Sequence, residues 1–171
     1  EYDEGKETGA SDSSIEIFER KEAIENLFNN DSYRGFLWNK IYKKEILMKD
    51  GNFILFDERL KILEDLVYNY TVFEKANKIV YNHSKFYHYI QRESSALNTV
   101  FSKAKLTTLI ALDILISRVE NEKIKDKLKV DYLRNASYSF YYMKKLYKND
   151  KANIQDLKKA KKKYKYDIIH S

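Results

Sequence analysis

The chain contains no proline in 171 residues and only four glycines, and this shortage constrains its fold more than any other feature of the sequence. Proline breaks helices because it lacks an amide donor and clashes with the preceding turn, and glycine weakens helices through its backbone entropy. A chain with so few helix breakers favours long, uninterrupted helices over a turn-rich β-sandwich. Its length suits one domain that buries a hydrophobic core.

Three C-terminal segments, 101–120, 123–148 and 152–169, carry apolar residues at helical spacing. Asn121 and the Asn149-Asp150 pair separate the segments, because short polar side chains favour helix ends over helix interiors. We therefore predict three helices. In the middle segment one apolar stripe runs through Ile124, Leu128, Tyr132, Ala136, Phe140, Met143 and Tyr147.

The preceding part of the chain mixes short strand and helix patterns. Continuous apolar runs favour strands, and apolar residues three or four positions apart favour helices. In chain order, we predict a strand over 15–18, a helix over 20–28, a helix that carries Phe36, Leu37, Ile41 and Tyr42, a short buried strand over 53–56, a helix over 63–74, and a hairpin of strands 78–81 and 85–91.

These patterns divide the chain into three parts and predict its fold class. Residues 1–14 are polar and lack apolar periodicity, so we interpret them as a weakly held linker or junction. Residues 15–98 form a region of short motifs, and residues 99–171 form a helical region. The predicted fold is α+β and mostly α-helical, with short strands and a hairpin before a C-terminal three-helix region.

Positive charge is concentrated near the end of the chain. The formal net charge is +6, and the segment Lys158–Lys165 holds six lysines in eight residues. Such a tract is either a solvated helix face or a surface for anionic lipid or nucleic acid. Only six of the 32 basic residues are arginine, the residue that best reads bases, so nucleic acid is not a predicted partner.

Cysteine is absent, which excludes disulfides, thiolate metal sites and a cysteine nucleophile. The three histidines are far from any cluster of carboxylates. We predict no metal site within this chain. No segment reaches the ~20 apolar residues that cross a bilayer. The chain also opens at Glu1 without a methionine, and we interpret it as part of a longer cytoplasmic polypeptide.

An ordered set of short motifs lies between Gly35 and Ser95. The first is Trp38-Asn39-Lys40-Ile41-Tyr42, the second is Glu64-Asp65, and the third is Tyr87-His88-Tyr89-Ile90-Gln91-Arg92-Glu93-Ser94-Ser95. Their order and spacing resemble the C-terminal, acceptor-side part of a bacterial family 2 glycosyltransferase of the GT-A type. Such inverting enzymes build capsular and other surface polysaccharides. The resemblance covers about sixty residues.

The resemblance implies a catalytic role for the acidic pair. Inverting sugar transfer needs a base that takes the proton of the acceptor hydroxyl, and the family places its catalytic aspartate at the position of Asp65. Glu64 inherits a supporting role in acceptor binding or in orienting Asp65. We expect the helix dipole to lower the pKa of Asp65 and keep it ionised. The alternative is that both carboxylates only stabilise a helix N-terminus.

The other two motifs imply substrate-binding residues. Similar enzymes direct the Trp-x-Lys signature towards the active site, so Trp38, Asn39 and Lys40 are candidate acceptor- or phosphate-binding residues; Trp38 is equally compatible with core packing. The third motif flanks the donor diphosphate in similar enzymes. The resemblance therefore assigns Arg92, Ser94 and Ser95 to donor binding, since arginine stabilises charge on a leaving diphosphate. The family's Gln-x-x-Arg-Trp signature of processive enzymes is absent.

The nucleotide-binding, Rossmann-like half of such an enzyme has no counterpart in this chain, because no Asp-x-Asp motif follows a predicted strand. We therefore expect the chain alone to bind no cofactor and to be inactive, with Mg²⁺ or Mn²⁺ required by the complete enzyme. The implied partners are a nucleotide sugar, a glycan or lipid-linked acceptor, and the anionic inner face of the plasma membrane through Lys158–Lys165. The sequence does not decide whether the chain forms a homo-oligomer.

Two hypotheses compete with the glycosyltransferase. The first is a non-enzymatic basic helical module that binds nucleic acid, membrane or a partner protein. The second is a degenerate fragment kept as an oligomerisation or docking domain.

Overall fold

The computed structural model describes residues 14–29, 35–49, 51–84 and 101–169. Within these ranges the protein is a mostly helical α+β fold with a small antiparallel sheet, which confirms the predicted fold class. The predicted linker 1–14 lies outside the described residues apart from Ser14, and so does the predicted strand 85–91.

The four described strands lie in the first half of the chain, and the two longest described helices lie in the second half. The strands are β1 (Ile15–Glu19), β2 (Met48–Lys49), β3 (Asn52–Phe53) and β4 (Lys78–Asn82). The α-helices are α1 (Arg20–Asn29), α2 (Glu64–Phe73), α3 (Thr107–Arg118), α4 (Glu122–Leu146), α5 (Lys151–Ala160) and α6 (Lys165–Ile169), with 3₁₀ helices at Lys44–Leu47 and Lys103–Leu106.

The sheet brings the two ends of the motif region together. β1 pairs with β4 in antiparallel register, with Ile17 opposite Val80. Phe18 and Tyr81 point to the core side and stack with their ring centroids 6.4 Å apart, whereas Ile17 and Val80 are exposed on the outer face. Among the described residues, β4 therefore pairs with β1. The predicted hairpin partner of β4, residues 85–91, lies outside those residues.

The hydrophobic core is formed by side chains of β1, α1 and α2 that pack with side chains of α3 and α4. The predicted stripe of α4 is largely confirmed, because Ile124, Leu128, Tyr132, Ala136 and Met143 are buried. Burial of each large apolar side chain contributes about 1.5–3 kcal/mol. Asn121 caps α4 as expected from its side chain, accepting a hydrogen bond from the Ile124 amide at 3.3 Å.

The predicted third C-terminal helix is two helices, α5 and α6, because the chain turns between them. At the turn the amides of Lys162 and Lys163 donate to carbonyls three residues back. This turn brings Tyr164 and Lys163 to Asp113 of α3, where the Tyr164 hydroxyl donates to Oδ1 and Lys163 Nζ donates to Oδ2, each at 2.7 Å. The interruption therefore ties the end of the chain to α3.

Two predicted elements in the motif region are wrong. The segment with Phe36, Leu37, Ile41 and Tyr42 is a turn followed by irregular chain instead of a helix, and Ile41 is fully exposed. Tertiary hydrogen bonds of this segment outweigh its helical spacing, as described below. The predicted buried strand 53–56 is shorter and exposed, with Leu55 80% accessible.

Arg118, the last residue of α3, joins the helical region to α2. Its guanidinium donates to Thr71 Oγ1 at 2.9 Å and to the Glu74 carboxylate, and it lies 5.1 Å from the centroid of the Tyr70 ring. The Tyr70 hydroxyl donates to the Arg118 carbonyl at 2.9 Å. The Arg118 side chain therefore binds Thr71 of α2 and Glu74 just after it, and the Arg118 carbonyl binds Tyr70 of α2.

We expect Arg118→Ala to lower the free energy of unfolding by about 1–3 kcal/mol, because hydrogen bonds to a charged group are lost and Glu74 is left without its partner. Arg134→Ala is the matched control. Arg134 is exposed and binds Asp131 on its own helix, so its loss should cost about 0.5 kcal/mol or less. Urea denaturation of both variants measures the difference. Equal losses would contradict a joining role for Arg118.

Candidate active site

Leu63, which precedes the acidic pair, has a left-handed backbone conformation. Its φ is 64° and its ψ is 15°, and it is the non-glycine residue with positive φ in the described part of the chain. This conformation costs a non-glycine residue of order 1–3 kcal/mol and persists only where the surroundings impose it. Leu63 packs against the core, and its carbonyl accepts from the Val67 amide at 3.1 Å. The sharp turn opens α2 with Glu64 and Asp65 in its first turn.

The side chain of Asn69 connects three segments of the motif region. It lies four residues beyond Asp65 on α2 and is completely buried. Its Nδ2 donates to the carbonyls of Gly35 at 2.7 Å and of Asp65 at 3.0 Å, and its Oδ1 accepts from the Tyr42 hydroxyl. Burial raises the pKa of the Tyr42 hydroxyl above its ordinary value, so that this group stays protonated and donates.

Gly35 allows the first motif segment to approach α2. A Cβ atom at this position would lie 2.6 Å from Leu66 Cδ1 and 2.8 Å from Leu66 Cα. The second contact is with backbone, which cannot move away as a side chain can. The glycine is therefore required by the close approach that places its carbonyl on Asn69.

Lys40 lies in the turn that follows and is half-buried. Its Nζ donates to the Phe36 carbonyl and to Asn39 Oδ1, each at 2.8 Å. Burial lowers the pKa of Lys40 to about 8, and the negative charge of Asp65 raises it by a smaller amount. Lys40 therefore exchanges its proton much closer to neutrality than an exposed lysine does.

Asp65 is half-buried, and its Oδ1 accepts from the Leu66 amide at 2.8 Å. The expected lowering of its pKa is wrong: burial raises the pKa of Asp65, and the neighbouring charge of Glu64 raises it further. The Leu66 amide and Lys40 act in the opposite direction but do not outweigh burial. A carboxylate with a raised pKa holds a proton more readily, which is the direction that suits a general base.

The structure thus brings together two motifs that are separate in sequence, because Asn69 binds Gly35, Tyr42 and the Asp65 carbonyl. The charges of Lys40 and Asp65 interact across this junction. Trp38 lies at the surface, 40% accessible, and stacks on Phe36 with ring centroids 5.1 Å apart. Its indole is therefore not a core residue. Arg92, Ser94 and Ser95 lie outside the described residues, as do Tyr87 and Tyr89.

Sequence reasoning missed the residues that hold the site in place. Asn69 and Gly35 were not singled out, although a polar residue among the apolar positions of α2 was a signal for Asn69. Phe56 and Tyr68 were missed as well. Their rings stack with centroids 4.4 Å apart, and Tyr42 packs edge-on to Tyr68. Through Tyr68, these contacts pack Tyr42 of the first motif segment against α2.

Within residues 14–29, 35–49, 51–84 and 101–169, neither a metal-ligand cluster nor a membrane-spanning helix is present. No group of three or more histidine, aspartate or glutamate side chains is arranged to hold a metal ion there. None of the helices in the same ranges combines the length and the apolar character that a membrane span requires.

Comparison of this chain with protein-family models, with curated proteins and with solved structures found no match.

The electrostatic coupling of Lys40 and Asp65 is open to direct measurement. We expect the side-chain NMR signals of Lys40 to titrate near pH 8, and Asp65→Asn to lower that pKa because a stabilising negative charge is lost. Between about pH 8 and 10.5 Lys40 itself binds fewer protons in the folded state than in the unfolded state, so its own contribution to the free energy of unfolding should rise with pH over this window. Above about pH 9 the raised pKa values of Tyr70 and Tyr132 act in the opposite direction.

Glu64→Gln is the matched control for this titration. It removes the same charge from the adjacent position, and it should move the Lys40 pKa less than Asp65→Asn does. If the two variants moved it equally, the coupling would not be specific to Asp65.

Proposed function

We propose that this chain forms the acceptor-side part of an inverting glycosyltransferase, with the donor-binding half supplied by another part of a longer polypeptide. One observation carries the proposal. Asn69 binds Gly35 and Tyr42, on either side of the turn that carries Lys40, as well as the Asp65 carbonyl, so the first motif is held against the acidic pair. Lys40 and Asp65 are both half-buried, and burial disfavours the charge of each. Perturbed titratable groups of this kind concentrate at active sites.

In the proposed reaction the acceptor hydroxyl attacks the anomeric carbon of the donor sugar. A bond forms between the acceptor oxygen and that carbon, the bond between the carbon and the diphosphate oxygen breaks, and the nucleotide diphosphate leaves with the electron pair. Asp65 takes the hydroxyl proton during the attack, and its raised pKa favours this acceptance. Attack opposite to the leaving group inverts the configuration.

The neighbouring residues are proposed to bind and orient the acceptor. The exposed Trp38 offers an indole face on which the apolar side of a sugar ring can stack. Lys40 in its protonated form pairs with an acceptor or phosphate oxygen, and Asn39 holds the Lys40 ammonium through its Oδ1. Glu64 orients Asp65 or the acceptor.

Donor binding is assigned to residues beyond this site. Arg92, Ser94 and Ser95 are proposed to contact the diphosphate, as the resemblance implies. Mg²⁺ or Mn²⁺ would be bound by the donor-binding half, as the resemblance implies. None of the steps assigned to Asp65, Glu64 or Lys40 uses a metal ion.

Asp65→Asn in the polypeptide that carries both halves tests the proposal. The substitution keeps size and hydrogen bonding but removes the proton acceptor, so kcat should fall by at least about 10²-fold while donor affinity changes little. Glu64→Gln is the control, and we expect it to affect the acceptor KM more than kcat. A folded Asp65→Asn enzyme with near-normal kcat would show that the acidic pair only stabilises the start of α2.

The tract Lys158–Lys165 supports a second proposal, attachment to an anionic membrane at the cytoplasmic face. The structure divides this tract. Lys163 binds Asp113, and Lys161 Nζ lies 4.5 Å from the centroid of the Phe140 ring, so these two side chains contribute to packing. The remaining four lysines are exposed: Lys158, Lys159, Lys162 and Lys165. Lys159 lies 3.7 Å from Asp156, so the proposal places the contact with an anionic surface on the other three.

Vesicle sedimentation tests this membrane proposal. We expect the protein to bind anionic vesicles but not neutral ones, because lysines near an anionic surface are attracted to it, and added salt should weaken the binding. The triple variant Lys158→Gln/Lys162→Gln/Lys165→Gln should bind several-fold less. Its matched control changes three exposed lysines elsewhere, Lys21, Lys61 and Lys123. Equal binding to both vesicle types would leave the tract as a solvated helix face.

A further inference from the structure

An open groove lies where α4 ends and α5 begins. Its volume is about 560 Å³, and it is lined by Lys144, Lys148, Lys151, Ile154 and Gln155. Three of these five side chains are lysines, and they come from both helices and from the connection between them. The size suits a small ligand and exceeds what a few water molecules fill.

The groove has no negative charge of its own. Between residues 144 and 165 the sequence has ten lysines and two aspartates. Asp150 is engaged by Lys103 at 2.6 Å and caps α5, and Asp156 lies 3.7 Å from Lys159. In the part of the chain that the structure describes, no carboxylate forms an ion pair with Lys144, Lys148 or Lys151.

An aromatic ring helps to hold the ammonium groups beside the groove. Lys144 Nζ lies 5.5 Å from the centroid of the Phe140 ring, and Lys161 Nζ lies 4.5 Å from the same centroid. Cation–π attraction at such distances favours these positions and reduces the freedom of both side chains. Binding of an anion by Lys144, which lines the groove, therefore costs less side-chain entropy than binding by a freely moving lysine.

The position of Lys151 is not explained by helix stability. Lys151 opens α5, whose first turn contains no acidic residue. A cation at a helix N-terminus opposes the helix dipole, whereas Lys144 and Lys145 in the last turn of α4 agree with it. The Asp150 cap offsets part of this cost. A bound anion would interact favourably with Lys151.

We propose that this α4–α5 groove binds a ligand with two or more phosphate groups. Lys144, Lys148 and Lys151 pair with the phosphate oxygens, the Gln155 amide offers a further hydrogen bond, and Ile154 contacts an apolar part of the ligand. The ligand is a soluble polyphosphate compound or the phosphorylated headgroup of a lipid. The groove is formed by different helices from those that carry Asp65, so the inference does not rest on the proposed sugar transfer.

Calorimetric titration with tripolyphosphate tests this inference on the intact chain. We expect saturable binding with one site per chain, weakened by salt. The variant Lys144→Gln/Lys148→Gln/Lys151→Gln should raise Kd at least tenfold. The control variant Lys158→Gln/Lys162→Gln/Lys165→Gln removes the same charge from exposed positions that do not line the groove, and it should raise Kd less than threefold. Circular dichroism should show equal helix content in both variants.

Absence of wild-type binding, or equal losses in both variants, would overturn the proposal, because binding would then depend on net charge alone. Competition between tripolyphosphate and phosphatidylinositol-phosphate vesicles distinguishes the two sources of phosphate. If the vesicles displace tripolyphosphate from the wild type, the ligand is a lipid headgroup. If tripolyphosphate binds and the vesicles do not displace it, the ligand is soluble.

Discussion

The buried amide of Asn69 is the interaction on which the motif region depends. Through one side chain, α2 is connected to the Gly35 carbonyl, to the Tyr42 hydroxyl and to its own first turn. Each of these groups would be costly to bury without a partner, since an unsatisfied buried polar group costs about 1–3 kcal/mol. The turn that carries Lys40 lies between Gly35 and Tyr42, so its position relative to Asp65 is determined at both ends.

The resulting environment explains why both charges of the site are disfavoured. Lys40 and Asp65 are removed from water by the same packing, and their mutual attraction offsets only part of the cost of burial. The strained backbone of Leu63 adds to this cost. A chain selected for stability alone would place exposed carboxylates at the start of α2 and a glycine before them. The fold instead retains two locally unfavourable features at the start of α2: the left-handed backbone of Leu63 and the half-buried carboxylate of Asp65.

Much of the fold could be predicted from the sequence because local patterns dominate it. The stripe of α4, the strand β1 and the acidic opening of α2 follow from periodicity and helix-end chemistry, and all were placed within a few residues. The segment with Trp38 and Tyr42 could not be predicted, because its backbone follows from tertiary hydrogen bonds to Asn69. Within the candidate site, motif order singles out Asp65 and Lys40 separately, one as a base and the other as a substrate-binding residue. The direction of their pKa shifts could not be predicted, because it depends on burial. The break between α5 and α6 likewise depends on Asp113, a residue distant in sequence.

The length of α4 sets a distance within the molecule. At 1.5 Å per residue, its 25 residues span about 37 Å. Its first turns contact α1, where Asn121 Nδ2 donates to Glu25 and Lys127 Nζ donates to the Phe28 carbonyl, and its last turn borders the α4–α5 groove. The helix is therefore a rigid spacer between the groove and the end of the molecule that contacts the motif region. A ligand or surface bound at the groove would therefore lie roughly one α4 length from the end of the helix that contacts α1.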